Sequence, residues 1–160
     1  MPIPPMTRIL LPLIILLGLL STLPSVAPAA ASLDLSQYRG KVVYVDFWAS
    51  WCLPCKKSFP WMEQMQRKYG RRGLQIIAVN LDEEQADADR FLRSYPASFT
   101  IVRDPEGVLA ERYGIEGMPT ALLFAPDGRQ AGRHIGFRDS RKAEYEAAIV
   151  DLLPKGGDGK

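Results

Sequence analysis

Val45-Asp46-Phe47-Trp48-Ala49-Ser50-Trp51-Cys52-Leu53-Pro54-Cys55-Lys56 is the stretch on which the reading of this chain turns. It holds both cysteines of the sequence, two residues apart, where a β-branched and aromatic run gives way to a helical pattern. Upstream, Lys41 to Trp48 is almost continuously apolar, as in a strand buried on both faces. Downstream, Phe59, Met62, Met65 and Tyr69 recur close to the helical period, so a helix is expected from about Cys52 to Tyr69. Pro60 inside that helix predicts a kink, and Gly70 and Gly73 end it. Two thiols at this spacing, opening a helix, can exchange two electrons as a dithiol and a disulfide.

Other uses of the pair are weaker. A bridge across two residues closes a very short loop and constrains the unfolded chain little. A tetrahedral zinc needs two ligands beyond a Cys-x-x-Cys pair, and the sequence has a single histidine, His134, so no metal site is expected. Asp46 is the most informative polar residue nearby. A carboxylate in a buried central strand is costly unless it is paired or does chemistry; the bland alternative is a strand-end acid that reaches solvent.

The chain has 160 residues, with 20 Lys and Arg against 18 Asp and Glu. The basic residues are dispersed, which gives no nucleic-acid footprint. Arg8, the apolar block Ile9 to Leu20 and the small residues Ala27 to Ala31 have the form of a secretory signal peptide over 1–31, with cleavage after Ala29 or Ala31. The alternative is an uncleaved N-terminal membrane anchor, although the block is short for a span and is interrupted by Pro12 and Gly18. One domain is expected over 32–153, with a Gly-rich flexible tail over 154–160.

Within that domain, Leu74 to Leu81 reads as a second central strand. Asp82 to Glu84 are expected to cap a helix running to about Tyr95, with Ala88, Phe91, Leu92 and Tyr95 inward. Thr100 to Arg103 follows as a short strand, then the turn Asp104-Pro105-Glu106-Gly107 and a brief helix from Val108 to Tyr113. Gly117-Met118-Pro119-Thr120 leads into a strand from Ala121 to Ala125, and Pro119 is either a cis proline or simply a turn residue. Pro126-Asp127-Gly128-Arg129 turns the chain into a hairpin strand, Gln130 to Gly136. His134 on that strand reads as an exposed or half-buried edge residue, not a ligand. Asp139 or Ser140 is expected to cap a last helix with Tyr145, Ala148, Ile149, Leu152 and Leu153 inward. The order implies an α/β fold: early parallel strands joined through helices, then a late antiparallel hairpin.

Trp51-Cys52-Leu53-Pro54-Cys55-Lys56, Asp46 six residues before the first cysteine, Pro60 eight after it, and Met118-Pro119-Thr120 before a strand together resemble the thioredoxin superfamily. Ala78-Val79-Asn80-Leu81-Asp82, the added helix through Asp87 to Tyr95, and Asp104 with Gly107 are similar to the exported TlpA/ResA-like branch. The resemblance covers about Leu35 to Leu153. It implies a thioredoxin-like fold, a central mixed sheet flanked by helices with a TlpA-type central insertion. It further implies a periplasmic or otherwise exported thiol-disulfide oxidoreductase, soluble after signal cleavage, with no cofactor. Trp51, Met118 and Pro119 match the family's substrate-binding surface. Two departures stand out: there is little room for the N-terminal hairpin of many TlpA-like proteins before Gly40-Lys41, and Ala78 lies where cytoplasmic thioredoxins often place a lysine near the buried aspartate.

The residues themselves suggest roles. At a helix start, unpaired N–H groups and the helix dipole favour a thiolate, which makes Cys52 the attacking sulfur. Cys55, one turn on and more buried, resolves the mixed disulfide, and Asp46 is the candidate acceptor of its proton. Leu53-Pro54 places no histidine between the cysteines, so a reductant is expected rather than a strong oxidant. The resemblance suggests protein disulfides as substrates, for example apocytochrome c or copper-site proteins, and a membrane electron donor; a monomer is expected. A Cu(I)-binding chaperone using both thiolates near Met118, or a thiol peroxidase, are the alternatives.

Overall fold

A computed structural model describes residues 33–155. The signal-peptide reading of 1–31, and all of the expected tail beyond Lys155, lie outside the described residues.

β1 (Val42–Trp48) is buried at all seven positions and forms the middle of the sheet. It is followed by α1 (Leu53–Tyr69), β2 (Leu74–Asn80), α2 (Gln85–Ser94), β3 (Thr100–Arg103), α3 (Val108–Arg112), β4 (Thr120–Phe124), β5 (Gln130–Ile135) and α4 (Lys142–Leu152). The strand order is β3-β2-β1-β4-β5. β1, β2 and β3 run parallel, whereas β4 and β5 are antiparallel to their neighbours, as the early crossovers and late hairpin imply. The fold is thioredoxin-like, with the sheet covered on two faces.

On one face, α1, α2 and α4 bury Phe59, Met62, Phe91, Tyr145 and Ile149 against Tyr44, Trp48 and Ile76. The opposite face is smaller: Val43, Val45, Phe47, Ile77 and Val79 are covered by Leu109 and Ala110 of α3 and by Leu33, Leu35 and Tyr38. The chain reverses at Gly73, Gly107 and Gly128 with positive φ, a conformation that costs glycine little.

Most element bounds fall within a residue or so of expectation, and α1 continues through Pro60. The expected caps differ. Cys52 precedes α1 as its N-cap instead of forming its first turn. Glu84 is the N-cap of α2 and makes no side-chain cap bond, and Asp82 bonds to Ser50 rather than to the helix. At the last helix a 3-10 turn over Asp139–Arg141 comes first, so Arg141 occupies the N-cap and neither Asp139 nor Ser140 does.

Candidate active site

At the C-terminal end of β1 the chain makes a tight turn, Ala49 to Cys52, closed by the Cys52 N–H donating to Ala49 O at 3.1 Å. Helix α1 begins immediately after it, with Pro54 in its first turn, where a missing N–H costs nothing. This hand-over from strand to helix puts both cysteines at one helix N-terminus. They are joined as a disulfide with Cα atoms 5.3 Å apart. Cys52 keeps 5 % of its surface exposed and Cys55 none, so the first sulfur is the one that another molecule can reach. Trp51 and Leu53, on either side of Cys52, are 71 % and 68 % exposed, which makes an apolar rim around it.

The Met118-Pro119 peptide is cis. Thr120, the next residue, pairs with Phe47 near the end of β1, so the proline sits at the same end of the sheet as the cysteine turn. Met118 packs against the core cluster that contains both cysteines. The segment is pinned from both sides: Thr120 Oγ1 donates to Gly117 O at 2.6 Å, and the Gly136 N–H donates to Pro119 O at 2.7 Å.

Asp46 is 1 % exposed, which removes the solvent-reaching alternative. In the sheet it lies between Ala78 of β2 and Ala121 of β4, two side chains too short to offer a partner. Its Oδ2 finds no hydrogen-bond partner among the described residues. Burial therefore holds its carboxyl well above the ordinary carboxylate range, and it also helps to push the buried Tyr44 phenol up, after desolvation of that ring. The position opposite, Ala78, is where a lysine was noted as missing.

His134 is half-buried, as read, and stacks at 4.8 Å from Tyr145 and 6.1 Å from Tyr44. Burial depresses its pKa, and nearby Arg141 adds to that, while Glu144 opposes it. It is two strands from Asp46 in register.

One group at the site escaped the sequence reading. Asp82, 3 % exposed, accepts hydrogen bonds from Ser50 N–H at 3.0 Å and from Ser50 Oγ at 2.9 Å. Asn80 Nδ2 donates to it at 2.7 Å. The available signal is a pair of polar residues at the end of a buried strand, Asn80, read as part of that strand, and Asp82, read as a helix cap.

Comparison with known proteins agrees with this geometry. The family model described as Redoxin matches residues 2–149. A Bacillus subtilis thiol-disulfide oxidoreductase, ResA, is 35 % identical over 97 residues, 61 % of this chain and 54 % of that protein. The ResA of Bacillus thuringiensis subsp. konkukian is 34 % identical over 122 residues, covering 76 % of this chain and 69 % of that one. The chain thus spans about half to two thirds of the length of these relatives. Among solved structures, a Chlorobium tepidum protein assigned as a thiol:disulfide interchange protein DsbE superposes with a TM-score of 0.73 at 49 % identity, over 75 % of this chain and 85 % of that one.

Proposed function

The chain belongs to the redoxin family of the thioredoxin superfamily, and from that premise we propose that it is an exported thiol-disulfide oxidoreductase that reduces disulfides of protein substrates. The observation that carries this reading is the cysteine pair itself. Cys52 stands as N-cap of α1 with an apolar rim of Trp51 and Leu53, and Cys55 is fully enclosed one turn later.

The reaction starts from the dithiol. The Cys52 thiolate, favoured by the helix N-terminus, attacks one sulfur of a substrate disulfide. The substrate S–S bond breaks, a Cys52–substrate mixed disulfide forms, and the other substrate sulfur leaves as a thiolate that takes up a proton. Cys55 then gives its proton to ionised Asp46, directly or through water, and attacks Cys52 Sγ. This closes the Cys52–Cys55 bond and releases the second substrate sulfur. Two electrons pass to the substrate, and a membrane donor must return them. Trp51, with the Met118-Pro119 segment across from it, supplies an edge against which an extended substrate strand can lie. The absence of histidine in Leu53-Pro54 supports a reductant. The names of the ResA and DsbE relatives support thiol-disulfide exchange, and apocytochrome c or copper-site proteins are the substrates proposed on the TlpA/ResA likeness.

The test is a trap. In Cys55→Ser the mixed disulfide on Cys52 cannot resolve, so a disulfide-bonded protein substrate should accumulate as a covalent adduct that dithiothreitol releases. Adducts that form equally in Cys52→Ser, or none at all with a reducible protein disulfide in excess, would overturn the proposal.

A further inference from the structure

The turn that carries Cys52 is held from below by a chain of polar side chains that begins on the far strand. Arg103 of β3 donates to Asn80 Oδ1 and, at 3.3 Å, to the Glu83 carbonyl. Asn80, fully buried at the end of β2, passes the contact on by donating to Asp82 Oδ2. The two Asp82 oxygens take the Ser50 N–H, at 3.1 and 3.0 Å, and one takes the Ser50 hydroxyl. Leu81 N–H donates to Trp48 O at 2.9 Å, which ties the same two segments a second time.

Among the described residues, the hydrogen-bond partners of the Asp82 carboxylate are donors, from Ser50 and Asn80. Arg103 reaches it only through Asn80. The carboxylate is thereby fixed, 3 % exposed, against Ser50, which stands two residues before the attacking sulfur. The other charged groups around the turn are Lys56 of α1 and the Asp87 and Arg90 pair of α2, which line a cleft of about 420 Å³ with Ser50 and Trp51; Asp46 of β1 is a further titratable group, its carboxyl pushed up by burial.

We propose that Asp82, oriented by Asn80 and Arg103, is the positioning residue of the cysteine turn: it anchors Ser50-Trp51-Cys52 to the sheet, and its charge opposes thiolate formation on Cys52. A charge that disfavours the thiolate disfavours the dithiol state and makes the pair more reducing. Arg103, at the other end of the chain, partly offsets that charge. The inference rests on the dithiol–disulfide reading of Cys52 and Cys55.

The two ends of the chain give opposite signs, which separates this role from simple support. Full-length protein is equilibrated with reduced and oxidised glutathione and the dithiol fraction is measured by thiol alkylation. The exchange is balanced: two glutathione thiols are oxidised for each Cys52–Cys55 bond reduced. Asp82→Asn should shift the equilibrium constant toward the dithiol by about threefold or more and lower the pH at which Cys52 reacts with iodoacetamide. Arg103→Gln should shift both in the opposite direction. A merely structural anchor would move both variants the same way or neither, and either result overturns the proposal. Should Asp82→Asn fail to fold, Arg103→Gln at its half-buried position still decides, since an unshifted constant there is equally fatal. A wild-type pair that never equilibrates with glutathione refutes the dithiol reading itself, whereas a pair that equilibrates but ignores both substitutions refutes only the role of Asp82.

Discussion

Two acids are buried near the strand ends that carry the cysteine turn, and their surroundings differ. Asp82 is surrounded by donors, while Asp46 lies between Ala78 and Ala121 with an unpartnered oxygen. The raised pKa of Asp46 has a sign that can be checked. A carboxyl protonated in the folded chain but ionised in the unfolded one binds more protons when folded, so stability falls as pH rises from the unfolded value near about 3.9 to the raised folded value. Asp46→Asn keeps the shape and removes the titration. It should be more stable than wild type at pH 8 in urea melts, with the advantage shrinking toward pH 4. Activity should move the other way. If ionised Asp46 takes the Cys55 proton, the wild-type rate of mixed-disulfide resolution rises with pH through the raised Asp46 pKa. In Asp46→Asn that rise should be lost and resolution slowed by about 10²-fold or more, as stopped-flow thiol exchange would record. A variant that is stabilised yet resolves at the wild-type rate would leave Asp46 as a buried cost without a part in catalysis.

At the scale of elements, α2 is fastened to the core by aromatic rings and hardly at all by charge. Phe91 lies 4.6 Å from Trp48, 4.8 Å from Phe59 and 4.7 Å from Tyr95, centroid to centroid, and is 5 % exposed. Phe91→Ala should cost about 3–5 kcal/mol, read as a lower urea midpoint at unchanged slope. Arg90→Ala, one residue earlier and paired with Asp87 on the surface, should cost no more than about 0.5 kcal/mol. This difference explains what was legible in the sequence. Phe91 could be assigned inward because helical periodicity is local, and the same holds for the apolar residues of β1 and the hairpin at Asp127-Gly128, whereas the burial of Asp46 among them depends on what covers the strand. The partner of Asp82 was not legible, since its proximity to Ser50 arises only once β1 and β2 pair in register and bring their ends together. A carboxylate just before a helix looks the same in sequence whether it caps that helix or reaches a neighbouring loop. The same limit applies to Asp139 and Ser140, where a 3-10 turn inserted by packing takes the place of a side-chain cap.

Across the whole molecule, the two faces of the sheet are covered unequally, and this bears on where the folded unit begins. Among the described residues, three helices cover the face that carries α1, and the other is covered by α3 and the segment before β1. Leu33, Leu35 and Tyr38 pack there against a cluster containing Val45, Ile77 and Leu109. Their segment is also latched by backbone bonds, Gly40 N–H to Pro126 O at 2.9 Å and Lys41 N–H to Tyr38 O at 2.9 Å. The chain from Leu33 onward is thus a working part of the core, whereas the proposed signal ends just before it. Cleavage after Ala29 or Ala31 would leave this cover whole. A chain beginning at Ser32 should therefore keep the exchange rate and urea midpoint of the exported protein, whose amino terminus by mass spectrometry should fall at Ala30 or Ser32. Removing a further eight residues, so that the chain begins at Gly40, should cost about 2–4 kcal/mol, because two leucines and a tyrosine leave an apolar surface open to water. Equal stability of the two truncations would mean that α3 alone seals that face. Recovery of exported protein with Met1 in place would instead favour the membrane-anchored form.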